Sequence, residues 1–172
     1  DSGASIPGDE LLVAIGRQPN TTDLGVETVG LEPGKPIEVD DWMRAPGREW
    51  LYAIGDVNGR ALLTHMGKYQ ARIAADRILG PGGPCLILDG ARAPRVTFTD
   101  PQVAAVGYTL AAAQEAGLNA RAVEVPTQGS AGATFYGRDD AIGTTRLVVD
   151  DDAGVLVGAT FTGPEVAEFL QA

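Results

Sequence analysis

A carboxylate at the end of an apolar strand, with a helix to follow, can hold a hydroxylated ligand. The run Trp50-Leu51-Tyr52-Ala53-Ile54-Gly55-Asp56-Val57 supplies that pattern. The strand sets the position, Gly55 lets backbone come close, and Asp56 can accept hydrogen bonds from the hydroxyls of a polyol or nucleotide. An aspartate that merely closes a strand-to-loop turn would look the same. A second apolar run ending in glycine stands upstream, Leu11-Leu12-Val13-Ala14-Ile15-Gly16-Arg17-Gln18-Pro19-Asn20. Together the two runs narrow the reading more than either does alone.

The elements that must position these residues can be sketched from periodicity and breakers. Residues 10–15 are apolar throughout, which predicts a strand buried on both faces, stopped by Gly16, Pro19 and Asn20. Residues 20–36 are rich in glycine and proline and predict loop and short helix, 37–39 a short strand, and 45–47 a turn. The clearest helix spans 61–79, where Leu62, Met66, Tyr69 and Ile73 recur at helical spacing and Ala74 and Ile78 extend the stripe. Gly80 and Pro81 end it. Residues 81–92 then read as a linker, opening with Pro81-Gly82-Gly83-Pro84.

Beyond the linker the pattern changes. Val96, Phe98, Val103, Val106 and Tyr108 predict two short strands around an Asp100-Pro101 turn. Thr109 is a natural N-cap for a helix over 110–116, with Gly117 at its stop. Residues 120–125 read as a strand, and 144–149 with 155–161 as a hairpin around Asp150-Asp151-Asp152-Ala153-Gly154. A last helix is expected from Pro164, with Glu165 in its first turn. The chain therefore divides into 1–80, an α/β segment without a complete layer, and 93–172, an α+β unit with an antiparallel sheet.

Composition excludes several classes. A net charge of −10 argues against nucleic acid, which needs clustered Lys and Arg. No stretch approaches the roughly 18 consecutive apolar residues of a membrane span. The single Cys85 rules out an internal disulfide and any Cys-x-x-Cys site, and the expected location is cytoplasmic. Asp150-Asp151-Asp152 lacks the ligand spacing of a calcium loop, and Gly129-Ser130-Ala131-Gly132-Ala133 lacks the strand-to-helix context of a phosphate loop. His65, the one histidine, reads as packed or capping rather than catalytic.

The two opening runs, with Leu62-Leu63-Thr64-His65, Thr99-Asp100-Pro101-Gln102-Val103-Ala104-Ala105-Val106-Gly107, Gly158-Ala159 and Gly163-Pro164-Glu165, resemble the C-terminal part of the FAD-dependent pyridine nucleotide-disulfide oxidoreductases. That family includes dihydrolipoamide dehydrogenase, glutathione reductase and mercuric reductase. The resemblance implies that the first run is the hinge from the NAD(P) domain back to the FAD domain. It implies that Asp56 contacts the flavin's ribityl chain while Gly55 keeps the backbone clear of it. Leu63, Thr64 and His65 would offer main-chain N–H groups, at a helix N-terminus, to the negative edge of a reduced flavin. Arg17, with Asn20, could contact a phosphate or pair with an acid at the interdomain surface. The implied fold is a partial FAD/NAD(P)-binding, Rossmann-like segment followed by a dimerisation domain that forms a homodimer through 93–172.

Other parts of the family's machinery are not found in these residues: no Gly-x-Gly-x-x-Gly, no cysteine pair, no C-terminal His-Pro segment. The resemblance thus implies roughly the C-terminal third of an enzyme that moves electrons from NAD(P)H through FAD to a disulfide or other acceptor. The isolated chain is expected neither to hold FAD tightly nor to oxidise NAD(P)H. Two other readings stay open: a non-catalytic self-associating module, and a disulfide-lacking flavoprotein that reduces a quinone or oxygen.

Overall fold

The computed structural model describes residues 3–80, 88–127 and 143–171. Cys85 and the loop at 129–138 lie outside the described residues. The architecture is mixed: a long helix and turns come first, then a five-stranded antiparallel sheet.

The sheet is built from β1 (Arg95–Thr97), β2 (Gln102–Gly107), β3 (Ala120–Pro126), β4 (Thr144–Asp150) and β5 (Val155–Gly163). Its order is β1-β2-β5-β4-β3, so the chain crosses from β2 to the far edge before returning through the β4–β5 hairpin. β5 is central, pairing Gln102↔Gly163 through Gly107↔Gly158 on one side and Thr145↔Phe161 through Asp150↔Val155 on the other. The register buries Ala104 with Ala159 on one face and Ala105 with Val148 on the other, so both faces of the sheet carry covered apolar side chains. Between β2 and β3 lies α2 (Leu110–Glu115), capped as expected: Thr109 Oγ1 accepts from the Ala112 N–H at 3.2 Å. Thr109→Ala should lower stability by about 1 kcal/mol, read as a urea-midpoint shift; no shift would show that water serves the cap equally well.

The expected last helix is instead a turn followed by a 3-10 helix, Val166–Gln171. Glu165 sits at φ 54, which breaks helical continuity after Pro164. What holds this arrangement is Val166, fully buried, and the Ala167 N–H, which donates to Gln102 Oε1 at 3.2 Å.

The first 80 residues depart further from expectation. None of the strands read at 10–15, 37–39 and 50–54 is formed; the nearest feature is one isolated bridge, Arg44↔Tyr52. Leu11, Leu12 and Ile15 are 87%, 88% and 94% exposed, the reverse of a strand buried on both faces. An apolar run becomes a strand only when neighbours satisfy its backbone and cover its side chains. Among the described residues no ladder forms against 10–15. Ile37 is buried nonetheless, its N–H donating to Val57 O at 2.9 Å, and joins Val26, Ala45 and Ala53 in a small core.

Helix α1 (Thr64–Leu79) is the long helix, beginning three residues later than the pattern suggests. Met66, Ile73 and Ala74 face inward, whereas Leu62 precedes the helix and Ile78 is 62% exposed. Met43 packs against Ile73 and Ala74, and Met66 against Ala61 and Ala93. The latter cluster joins α1 to the stretch that leads into the sheet. Arg60 reinforces that junction, donating from Nε to Asp89 Oδ2 at 2.7 Å and from its terminal nitrogens to Asp40 O and Asp41 Oδ1. Burial opposes its charge, but the hydrogen bonds and charges of Asp89 and Asp41 outweigh that effect and raise the guanidinium pKa.

Candidate functional site

Asp56 lies in a 3-10 turn, Gly55–Asn58, between the bridge at Tyr52 and the start of α1. The turn is held from beneath. Gly55 has φ 78, a conformation that favours glycine, and its Cα faces Gly67 of α1 so closely that a Cβ on Gly67 would come within 3.2 Å of it. The close approach that Gly55 permits is therefore one to the helix. Its N–H donates to Gln70 Oε1 at 2.7 Å, and Asn58 Nδ2 donates to the same oxygen at 2.8 Å and to Ala53 O at 3.0 Å. Asn58 and Gln70 are 5% and 2% exposed, so this is a buried, satisfied polar network. Sequence reasoning missed both, because a polar residue on a helix, like Gln70, or in a turn, like Asn58, reads as surface.

Asp56 itself is exposed, and it lines a cleft of about 510 Å³ with Arg17, Asn20, Pro36 and Leu62. Both opening runs thus meet at one concave surface although 10–20 forms no strand. The Arg17 guanidinium donates to the Leu62 carbonyl at 2.7 Å, anchoring the first run beside the start of α1, and among the described residues it forms no ion pair with an acid.

The three residues expected to offer N–H groups divide. Leu63 spends its N–H on Ala61 O at 2.9 Å and packs its side chain into the cluster at Met66. Thr64 and His65 are exposed, and among the described residues their N–H groups meet no acceptor. Helix α1 has no side-chain cap at Leu63 and no acid in its first turn, so its own residues supply no negative charge to its positive end. The His65 ring points elsewhere, with Nε2 at 2.7 Å from Pro94 O, where it ties α1 to the entry of the sheet.

The acids of the β4–β5 turn are engaged in local structure. Asp150 Oδ1 accepts from the Asp152 N–H, Asp151 pairs with Arg121, and Asp152 accepts from Asn119. No group of acids, histidines and cysteines among the described residues is placed to hold a metal.

Two family models divide the chain. Residues 1–75 match the pyridine nucleotide-disulphide oxidoreductase model, and residues 93–172 match the dimerisation domain of the same family. The chain belongs to the pyridine nucleotide-disulphide oxidoreductases. It is 34% identical to the dihydrolipoyl dehydrogenase of Haloferax volcanii over 165 residues, which is 94% of this chain and 34% of that protein. In fold it is similar to the HOCl-induced flavoprotein disulfide reductase RclA from Escherichia coli, at a TM-score of 0.80 and 26% identity, covering 99% of this chain and 39% of that one. It is similar also to LpdA from Mycobacterium tuberculosis, at a TM-score of 0.75 and 28% identity, covering 89% and 33% of the two chains. The chain spans about a third of the length of the curated relatives it matches.

Proposed function

We propose that this chain forms one wall of a flavin site, and an interface between subunits, within an oxidoreductase that carries electrons from NAD(P)H through FAD to a disulfide or another acceptor. The observation that carries this reading is the cleft where Asp56 and Arg17 meet beside the uncapped start of α1. The residues there suit a flavin: an exposed carboxylate for hydroxyls, and main-chain donors at a positive helix end for the ring's anionic edge. Gly55 and Asp56 with Thr64 and His65 would hold the group, and Leu63 would support them through packing. Bound flavin would supply the two-electron chemistry. The chain's own part is to orient the ribityl chain and to favour negative charge at the N-terminus of α1. The proposed location is cytoplasmic; no helix among the described residues is long and apolar enough to cross a membrane.

Residues 93–172 would supply the homodimer contact, as the family model's description suggests. A purely self-associating module has one observation in its favour, the apolar side chains exposed on the sheet unit: Phe98 is 79% exposed and Leu156, in β5, 57%.

The test uses the full-length protein. It should purify with FAD bound, and anaerobic NADH or NADPH should bleach the flavin band. Sedimentation should give a dimer. A colourless dimer that takes up no FAD would favour the module instead.

A further inference from the structure

The buried pair Asn58–Gln70 is more than packing, because of what it joins. Gln70 Oε1 takes the N–H of Gly55 at 2.7 Å and the amide of Asn58 at 2.8 Å, the two ends of the turn that carries Asp56. Asn58 closes the loop on both sides: its Nδ2 donates to Ala53 O, and its Oδ1 accepts from the Arg60 N–H at 3.0 Å. Gln70 stands on α1, whose first residue, Thr64, follows two residues after Leu62 of the cleft's lining. One side-chain oxygen therefore seats the turn that carries Asp56 on α1.

We infer that Gln70 is a positioning residue for Asp56: it acts on the ligand through the Gly55–Asn58 turn and does not touch the ligand itself. The inference rests on the flavin reading of the cleft. Without the Gln70 oxygen, the Gly55 N–H and the Asn58 amide lose a shared acceptor in a place water reaches poorly, and the turn lifts from Gly67. Gln70→Met keeps length and volume but removes the acceptor. Gln70→Glu keeps, in either protonation state, an oxygen that can accept from both donors.

The experiment uses the full-length protein, first as apoprotein and then titrated with FAD. In the apoprotein, Gln70→Met should speed amide exchange at Gly55 by about tenfold or more, the loss of one shared hydrogen bond, while Ile73 and Ala74 on α1 keep their protection. Gln70→Glu should restore the Gly55 amide. With FAD, Gln70→Met should weaken binding by about tenfold, and Gln70→Glu by no more than about threefold. In an Asp56→Ala background, Gln70→Met should change FAD affinity by less than about threefold, since the residue it positions is gone. Unchanged exchange at Gly55 overturns the inference, and so does an equal loss of FAD affinity with and without Asp56. If Asp56→Ala alone binds FAD like wild type, the flavin reading fails, and the exchange result decides separately whether Gln70 seats the turn. Should Gln70→Met fail to fold, Gly67→Ala disturbs the same seat from its other contact and should loosen Gly55 in the same way.

Discussion

Gly158→Ala should destabilise the protein by about 3 kcal/mol or more, a large share of the roughly 5–15 kcal/mol that holds a domain folded. A Cβ at Gly158 would stand 1.9 Å from Tyr108 O and 2.9 Å from both Tyr108 C and Tyr108 N. All three are backbone atoms, which cannot swing away as a flexible side chain would. The contact arises where β2 ends: Gly107 turns at φ 76, and the Tyr108 N–H donates to Val157 O at 2.9 Å. This folds the exit of β2 over the central strand β5. Relief requires β5 to separate from β2 along a ladder that runs from Gln102↔Gly163 to Gly107↔Gly158. The control is Gly154→Ala in the β4–β5 turn. Gly154 has φ 66 but nothing within 4 Å of a Cβ, so the change carries only the left-handed backbone penalty of about 1–2 kcal/mol. Urea unfolding followed by circular dichroism compares the two. Equal midpoint shifts would show that the sheet parts easily at this crossing.

That difference between two glycines also marks what the sequence makes legible. The α+β unit could be read because its signals are local. Thr109 caps its own helix, Gly117 stops it, and the acids around Gly154 turn a hairpin, all within a few residues of where the signal lies. The run at 10–15 was misread because apolar residues declare that they need cover without saying what provides it. No ladder forms against it here, and Ile15 stands exposed. Asp56 was legible as a residue type, although the strand expected before it does not form, and the structure places it at a concave surface with Arg17. What fixes its turn was not legible. Gln70 and Asn58 are polar residues 12 apart in sequence, joined by a hydrogen bond that exists only once α1 has docked on the turn. Arg60 was passed over for the same reason, since its partners Asp41 and Asp89 stand 19 and 29 residues away.

Asp56→Ala should weaken FAD binding by the full-length protein about 10- to 100-fold, the effect of losing a hydrogen bond to a charged acceptor, about 1.5–3 kcal/mol. The carboxylate is exposed at the cleft, so its removal leaves no buried partner orphaned, and the fold should hold. This separates Asp56 from the network below it, where loss of an acceptor strands two donors. Asp56→Asn is the sharper variant. The amide keeps one acceptor oxygen and the shape but loses the charge, so it should fall between wild type and alanine. A fluorescence titration of the apoprotein with FAD measures the series, with the urea midpoint taken alongside. Charge matters here in two opposed ways. A carboxylate favours hydroxyl donors, yet it stands near the end of α1 that is proposed to stabilise the anionic edge of a reduced flavin. Removing it should therefore raise the flavin's reduction potential even as binding weakens, because one negative charge near the reduced ring is gone. If affinity falls while the potential stays put, Asp56 acts through hydroxyl contacts alone. If neither moves, the cleft is not the flavin's seat.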